Sequence, residues 1–443
     1  MKNFDLTIIG SGPGGYVAAI RAAQLGLNTC LIEKETIGGV CLNKGCIPTK
    51  GLLESAYFFE KLEKAQNHGV SLKVEHVNFQ QTHDRAFKIV SELNAGIEFL
   101  LKKNKITVIK GSASFLDEYT LTVNKETIKS KYFIIATGAQ YKKIPQLEPN
   151  GKNILGAWEA LHLTKLPPSI GIVGAGAIGI EFAYLWNTFK SSVTVFEREK
   201  RILPFEDHSI SQELEKNLTK KGIIFHTDEK SLLIRQNKDT LMIGDKSFDL
   251  ILVSTGMIGY TEGLNLPLEI ENSFIKINEF YQTNFKHIYA IGDVSGPPLL
   301  AHIASYEGIC AVEHISNHEV TILDKKFIPS CIYSQPQVAS MGYREHEIQG
   351  EYAVGIFPFQ ASGKSLTADN KEGFIKVLTS KEGELLGAHI LGPNASELIH
   401  SFNVMHYLEG TTKELCEIVF PHPTLGEGIQ EAFLNSLKRS IHL

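Results

Sequence analysis

No stretch of this chain is apolar for long enough to cross a bilayer. Its longest runs, of the kind YFIIATGA, fall far short of the ~20 residues a spanning helix needs. A basic excess is missing too. The 44 Lys and Arg face 49 Asp and Glu, for a net charge of −5, so there is no electrostatic footprint for nucleic acid. Cysteine is sparse, six in 443 residues, which excludes a disulfide-stapled scaffold. Cys30, Cys310, Cys331 and Cys416 stand alone and read as small buried apolar side chains. The opening MKNFDLTIIGSG passes from a brief apolar stretch straight into glycines, so it reads as a strand and not as a secretory leader. No short repeat or low-complexity tract occurs. What is left is an ordinary soluble composition, 43% hydrophobic and 21% charged, with a cytoplasmic location expected. The length predicts about two to four domains.

One long-range echo stands out. FDLTIIGSGPGGYVAAIRAAQLGLNTCLIEKE returns later as SIGIVGAGAIGIEFAYLWNTFKSSVTVFERE. Both copies read as strand, glycine turn, helix, strand. Gly10, Gly12 and Gly15 form G-x-G-x-x-G in the first, and Gly174, Gly176 and Gly179 in the second. The first glycine permits a tight turn, the second lets a pyrophosphate approach, and the third lets helix pack on strand. The helix N-terminus that follows offers free N–H groups to phosphate. Glu33 and Glu197 each lie 23 residues beyond the first glycine, where a carboxylate accepts hydrogen bonds from ribose hydroxyls. Glu197 would repel a 2′-phosphate, which favours NAD over NADP in the second copy. Two such sites in one chain suggest electron transfer between two dinucleotides. From about residue 325 the pattern turns to strands followed by helices, a separate α+β domain.

Just after the first copy comes GGVCLNKGCIPTK, with Cys41 and Cys46 five residues apart. Zinc would need two more ligands at suitable spacing, and no second C-x-x-C or paired histidine motif supplies them. Two unrelated buried thiols would also fit the spacing alone. A redox disulfide explains more. Bridging requires Cα atoms within about 7 Å, so the chain must bend, and Gly45 can supply the bend. Pro48 suits the first turn of a following helix, whose start would favour thiolate.

GGVCLNKGCIPTK resembles the active-site motif of the class I pyridine nucleotide-disulfide oxidoreductases. So, in order, do FIIATGA, IYAIGDVSG, LLAHIASYEG, FPFQASGKSLTADNKEGFIKV and HPTLGEGIQEA, and the resemblance covers nearly the whole chain. It implies an α/β fold with two Rossmann-like dinucleotide-binding domains and a C-terminal α+β dimerisation domain. The FAD domain would be 1–145, completed by about 265–320, the NAD domain 146–264, and the interface domain 321–443. Asp293 matches the aspartate holding the flavin ribityl chain, followed by Leu300, Ala301 and His302 at the flavin. Lys50 matches a lysine near the flavin and Glu181 its partner beside the nicotinamide. Ala113, Thr137, Gly138 and Gly256 are further cofactor-binding positions, and no metal is implied.

The resemblance also assigns the chemistry. Cys41 would exchange with a substrate dithiol, and Cys46 would pass electrons to the flavin. His422, oriented by Glu427, would move the proton, acting from the partner subunit of a homodimer. A cis His422–Pro423 bond is implied as well. The wording is most similar to that of members that oxidise protein-bound dihydrolipoamide with NAD+, whose partners are lipoyl domains of 2-oxoacid dehydrogenase complexes or the glycine cleavage H protein. The rival readings are a reductase of another disulfide, such as glutathione disulfide, and a non-catalytic flavoprotein subunit. Three residues depart from the family pattern: Phe420 replaces a histidine, Gly426 a serine, and Met257 an arginine beside the NAD site.

Overall fold

A computed structural model describes residues 1–230, 232–237 and 240–443. It divides into two compact units. The first comprises 1–51, 81–143 and 255–323, and the second 52–80, 144–254 and 324–443.

The first unit is built on a seven-stranded sheet. Thr107–Lys110, Thr29–Glu33, Lys2–Ile9, Glu126–Ile135 and Ile288–Ala290 run parallel, and Thr120–Val123 and Ala113–Asp117 add an antiparallel meander. Thr29–Glu33 is buried at every position, as a parallel strand covered on both faces must be. The register sets Ile8 between Leu31 and Ile134. Helices Pro13–Gln24 and Ala301–Ile315 pack closely on one face. Small residues permit this, since a Cβ at Gly308 would meet the Gly14 carbonyl oxygen at 2.6 Å.

The second unit holds two larger sheets. One is parallel, in the order Ile224–His226, Ser192–Phe196, Ser169–Val173, Leu250–Val253, Ile154–Leu155. The other is antiparallel, from Ser330–Ile332 through Gln337–Gly342, Leu385–Gly392 and Phe374–Thr379 to Ala353–Pro358. Helices Ala395–Tyr407 and Glu427–Ser436 cover it, burying Phe357, Phe359, Phe402 and Phe433. A buried ion network joins the two parts of this unit. Lys376 Nζ lies 2.8 Å from Asp207 Oδ1 and 2.6 Å from Glu345 Oε2. Asp207 also caps helix His208–Lys220 through Ser209 N–H. Burial drives the Asp207 carboxyl up, but Lys376 and Ser209 outweigh it and hold the group well below the usual carboxylate range. Nothing in the sequence announces this network, because its members are scattered over 170 positions.

Cys30 and Cys310 are buried, as their isolation suggests. Cys331 and Cys416 are only half-buried, packed at the margin of the interface core. Among the described residues no helix is long and apolar enough to cross a membrane.

Candidate functional site

Two of the three glycines in the first turn leave no room for a side chain. Gly10 has φ +101°, and a Cβ there would meet the Ala136 carbonyl oxygen at 2.2 Å. A Cβ at Gly15 would lie 1.8 Å from the Gly10 carbonyl oxygen, so the helix can sit this close only without a side chain. Gly12 instead faces open space on its Cβ side, the room a pyrophosphate needs. Glu33 reaches back from the strand end. Its Oε2 accepts Ser11 N–H at 2.9 Å and Ser11 Oγ–H at 2.6 Å. Ser11 also receives Gly38 N–H. Sequence reasoning had no role for Ser11; the signal was the alignment of the two copies, where Ala175 stands instead.

The second turn repeats the geometry. Gly174 has φ +105°, a Cβ at Gly179 would stand 1.9 Å from the Gly174 oxygen, and Gly176 is open. Glu197 Oε2 accepts Ala175 N–H at 2.6 Å and its Oε1 accepts Glu199 N–H at 2.9 Å. Glu181, on helix Ala177–Thr188, is buried and accepts the Tyr333 N–H at 3.0 Å.

The thiol pair belongs to the first unit. Helix Gly39–Lys44 stops at Gly45, and helix Cys46–Glu63 begins at once. A Cβ at Gly45 would crowd the Val40 carbonyl oxygen at 3.1 Å, so the break is tightly packed. Gly39, at φ +62°, presses onto Gly12, its would-be Cβ 2.6 Å from that Cα. The thiol-bearing turn therefore rests directly on the phosphate-type turn. Cys41 and Cys46 are hydrogen-bonded to each other. That bond, burial and the Cys46 charge push the Cys41 thiol up, while Lys50 pulls it down. Cys46 is the first residue of the longer helix, and Cys41 lies in the first turn of the shorter one.

Asp293 follows Gly292, whose N–H is held by Glu307 at 2.7 Å. Burial first, and Glu307 second, push the Asp293 carboxyl up to about 6. Leu300 caps the helix that Ala301 begins. Ala113 starts an antiparallel strand, half-buried. Thr137 Oγ donates to the Tyr260 oxygen at 2.5 Å, and Gly138, at φ +75°, lets Tyr260 N–H return the bond. Gly256 belongs to this same corner, its oxygen accepting Lys142 N–H, and Met257 pairs with Tyr141. Both thus share the first unit with the Cys pair, while Gly174, Gly176, Gly179, Glu181 and Glu197 lie in the second.

His422 and Glu427 meet in the second unit. His422 Nδ1 is 2.8 Å from Glu427 Oε1, and Thr424 N–H holds Oε2 at 2.7 Å. Burial, the largest single influence, raises the Glu427 carboxyl, but the Thr424 N–H and His422 together outweigh it and keep it below its usual range. The imidazole itself is exposed, with 79% of its side-chain surface free. The His422–Pro423 bond is cis. Phe420 and Gly426 prove to be neighbours: a Cβ at Gly426 would lie 3.3 Å from the Phe420 ring. The two departures fit each other sterically.

The family description "Pyridine nucleotide-disulphide oxidoreductase" matches residues 4–308, and its dimerisation domain matches 328–433. The chain is 41% identical to a dihydrolipoyl dehydrogenase of Bacillus subtilis over 99% of both chains. It is 36% identical to the mitochondrial dihydrolipoyl dehydrogenase of Pisum sativum, over 99% of this chain and 92% of that one. It is 37% identical to a leghemoglobin reductase of Vigna unguiculata, over 97% of this chain and 86% of that one. In fold it is similar to LpdA of Mycobacterium tuberculosis, with a TM-score of 0.90 at 23% identity over 98% and 99% of the two chains.

Proposed function

Since this chain belongs to the pyridine nucleotide-disulphide oxidoreductase family, we infer that it oxidises protein-bound dihydrolipoamide to lipoamide and reduces NAD+, through a redox disulfide between Cys41 and Cys46. The observation that carries the reading is the placement of the thiol pair, hydrogen-bonded across the Gly45 break and seated on Gly12. When bound, FAD supplies an acceptor for the electron pair and NAD+ its outlet as hydride.

The residues divide the work. Gly10, Gly12, Gly15 and Glu33 hold FAD, with Lys50, Ala113, Thr137, Gly138, Asp293, Leu300 and Ala301 around it. Gly174, Gly176, Gly179, Glu181, Glu197 and Gly256 serve NAD. Residues 1–145, completed by about 265–320, form the FAD domain, 146–264 the NAD domain, and 321–443 the interface. The chain pairs as a homodimer through its dimerisation domain. In it His422 of one protomer serves the thiols of the other.

His422 takes a proton from the dihydrolipoyl dithiol. The thiolate attacks Cys41 Sγ, breaking the Cys41–Cys46 bond and leaving the charge on Cys46. The second substrate thiol closes the lipoyl disulfide, and Cys41 leaves. The departing Cys41 takes the proton of the second substrate thiol, so one substrate proton ends on His422 and the other on Cys41. Glu427 fixes the imidazole tautomer and orientation through Nδ1. Lipoyl domains are the partners, and a cytoplasmic location fits the low cysteine content.

Turnover with dihydrolipoamide and NAD+, compared with glutathione disulfide and NADPH, tests the substrate. Dominant activity with the second pair would make the chain a reductase of another disulfide. Half-reduced enzyme is expected to show a long-wavelength absorption band from thiolate against oxidised flavin.

A further inference from the structure

We propose that Glu431 and His442 form a second carboxylate–imidazole pair whose charge tunes the first, making them positioning residues for the proton held at His422. The proposal rests on the assignment of His422 as the base. Glu427 and Glu431 lie four residues apart on helix Glu427–Ser436, so their side chains leave the same face one turn apart. Each takes an imidazole in the same way: His422 Nδ1 meets Glu427 Oε1 at 2.8 Å, and His442 Nδ1 meets Glu431 Oε1 at 2.8 Å. Glu431 is buried, and its other oxygen gathers Ser440 Oγ at 2.8 Å and the N–H groups of Ile441 at 3.2 Å and His442 at 3.4 Å. Four bonds on one buried carboxylate clamp residues 440–442 against the helix. His442 also acts on Glu427, whose ionised form it favours more weakly than Thr424 N–H and His422 do.

The segment after the helix carries Lys438 and Arg439, and helix Thr412–Glu417 carries Lys413, Glu414 and Glu417; of these, Arg439 and Glu417 act on Cys416. Of the strands packed on this helix, Ala353–Pro358 carries no titratable side chain. Phe374–Thr379 carries only Lys376, which is committed to Asp207 and Glu345.

The signs follow from Coulomb's law. Removing the Glu431 charge takes a carboxylate from one turn away, so protonated His422 is disfavoured. Removing His442 leaves the Glu431 carboxylate without the imidazole that shares it, so protonated His422 is favoured. In the FAD-loaded dimer, Glu431→Gln is expected to move the acidic limb of the kcat/KM–pH profile for dihydrolipoamide down by about half a unit. His442→Gln should move it up by a similar amount. Retained flavin absorbance shows that each variant is folded. A purely structural clamp would change amplitude without displacing the limb, or displace it in the same direction for both variants; either result overturns the proposal. His422→Gln separates the two levels. If it removes turnover while both limbs stay put, the tuning idea alone fails. If it leaves turnover intact, the assignment of His422 fails and the tuning idea with it.

Discussion

The two glycine turns share a skeleton and differ in finish. In both, the first glycine is left-handed, the third presses on the first's carbonyl oxygen, and the middle one faces open space. Around the first turn, Ser11 gives Glu33 a hydroxyl bond besides its N–H, and Gly39 closes over Gly12. Helix Ala301–Ile315 seals the flank through Gly14 and Gly308. Around the second, Ala175 offers only its N–H, and the helix that follows leaves Ile178 41% exposed. One turn geometry thus comes walled in at the first copy and more open at the second.

The largest test of that contrast is Cys46→Ser. It should reduce dihydrolipoamide turnover to background while the purified protein stays yellow, because the wall around the first turn is untouched. Retained turnover would show that electrons take another route. Next, His422→Gln should lower kcat by roughly 100- to 10,000-fold with both nucleotide turns intact, as steady-state kinetics would show. Matched substitutions then address the turns themselves. Gly15→Ala forces a methyl onto backbone and should yield protein without flavin. Gly179→Ala should keep flavin and lower kcat/KM for NAD+ by about 100-fold, the scale of a misplaced reactant. Equal flavin content in the two variants would erase the distinction between resident and visiting cofactor.

Smaller effects sharpen it. Lys376→Met leaves Asp207 buried without its cation and should cost about 3–5 kcal/mol of stability, read by denaturant unfolding. Because the Asp207 carboxyl is depressed in the folded chain, its contribution is complete above the unfolded value of about 3.9 and disappears as pH falls through the folded value. The deficit of Lys376→Met should therefore be widest near neutrality and shrink in acid. Smallest of all, Ser11→Ala makes the first turn resemble the second. It should weaken flavin retention by about 1.5–3 kcal/mol, the worth of a hydrogen bond to a charged group, measured by flavin release during dialysis.

Local chemistry was legible in the sequence wherever it was written within a few tens of residues. The first and third glycines of each turn state a backbone requirement that a side chain would violate, and the strand-end carboxylates Glu33 and Glu197 lie within one βαβ unit of the N–H groups they accept. What lay hidden was long-range. Glu181 reads as a solvated helix charge, yet it is buried against the Tyr333 N–H, 152 positions away. Lys376 sits at a strand position that alternation would give to an apolar residue, and its partners come from two other elements. Phe420 and Gly426 read as two separate departures, and only contact shows that the ring occupies space a serine side chain would fill. Periodicity speaks for elements, not for which of them will touch.

Gly39 resting on Gly12 has a consequence for how this corner can change. The turn that bears the two thiols and the first glycine turn lean on each other with no side chain between them. A methyl group on Gly39 would drive into the backbone at Gly12, while one on Gly12 would meet only open space. The thiol-bearing turn is thus the side of this contact that cannot take a side chain, and a change there would be felt in both turns at once.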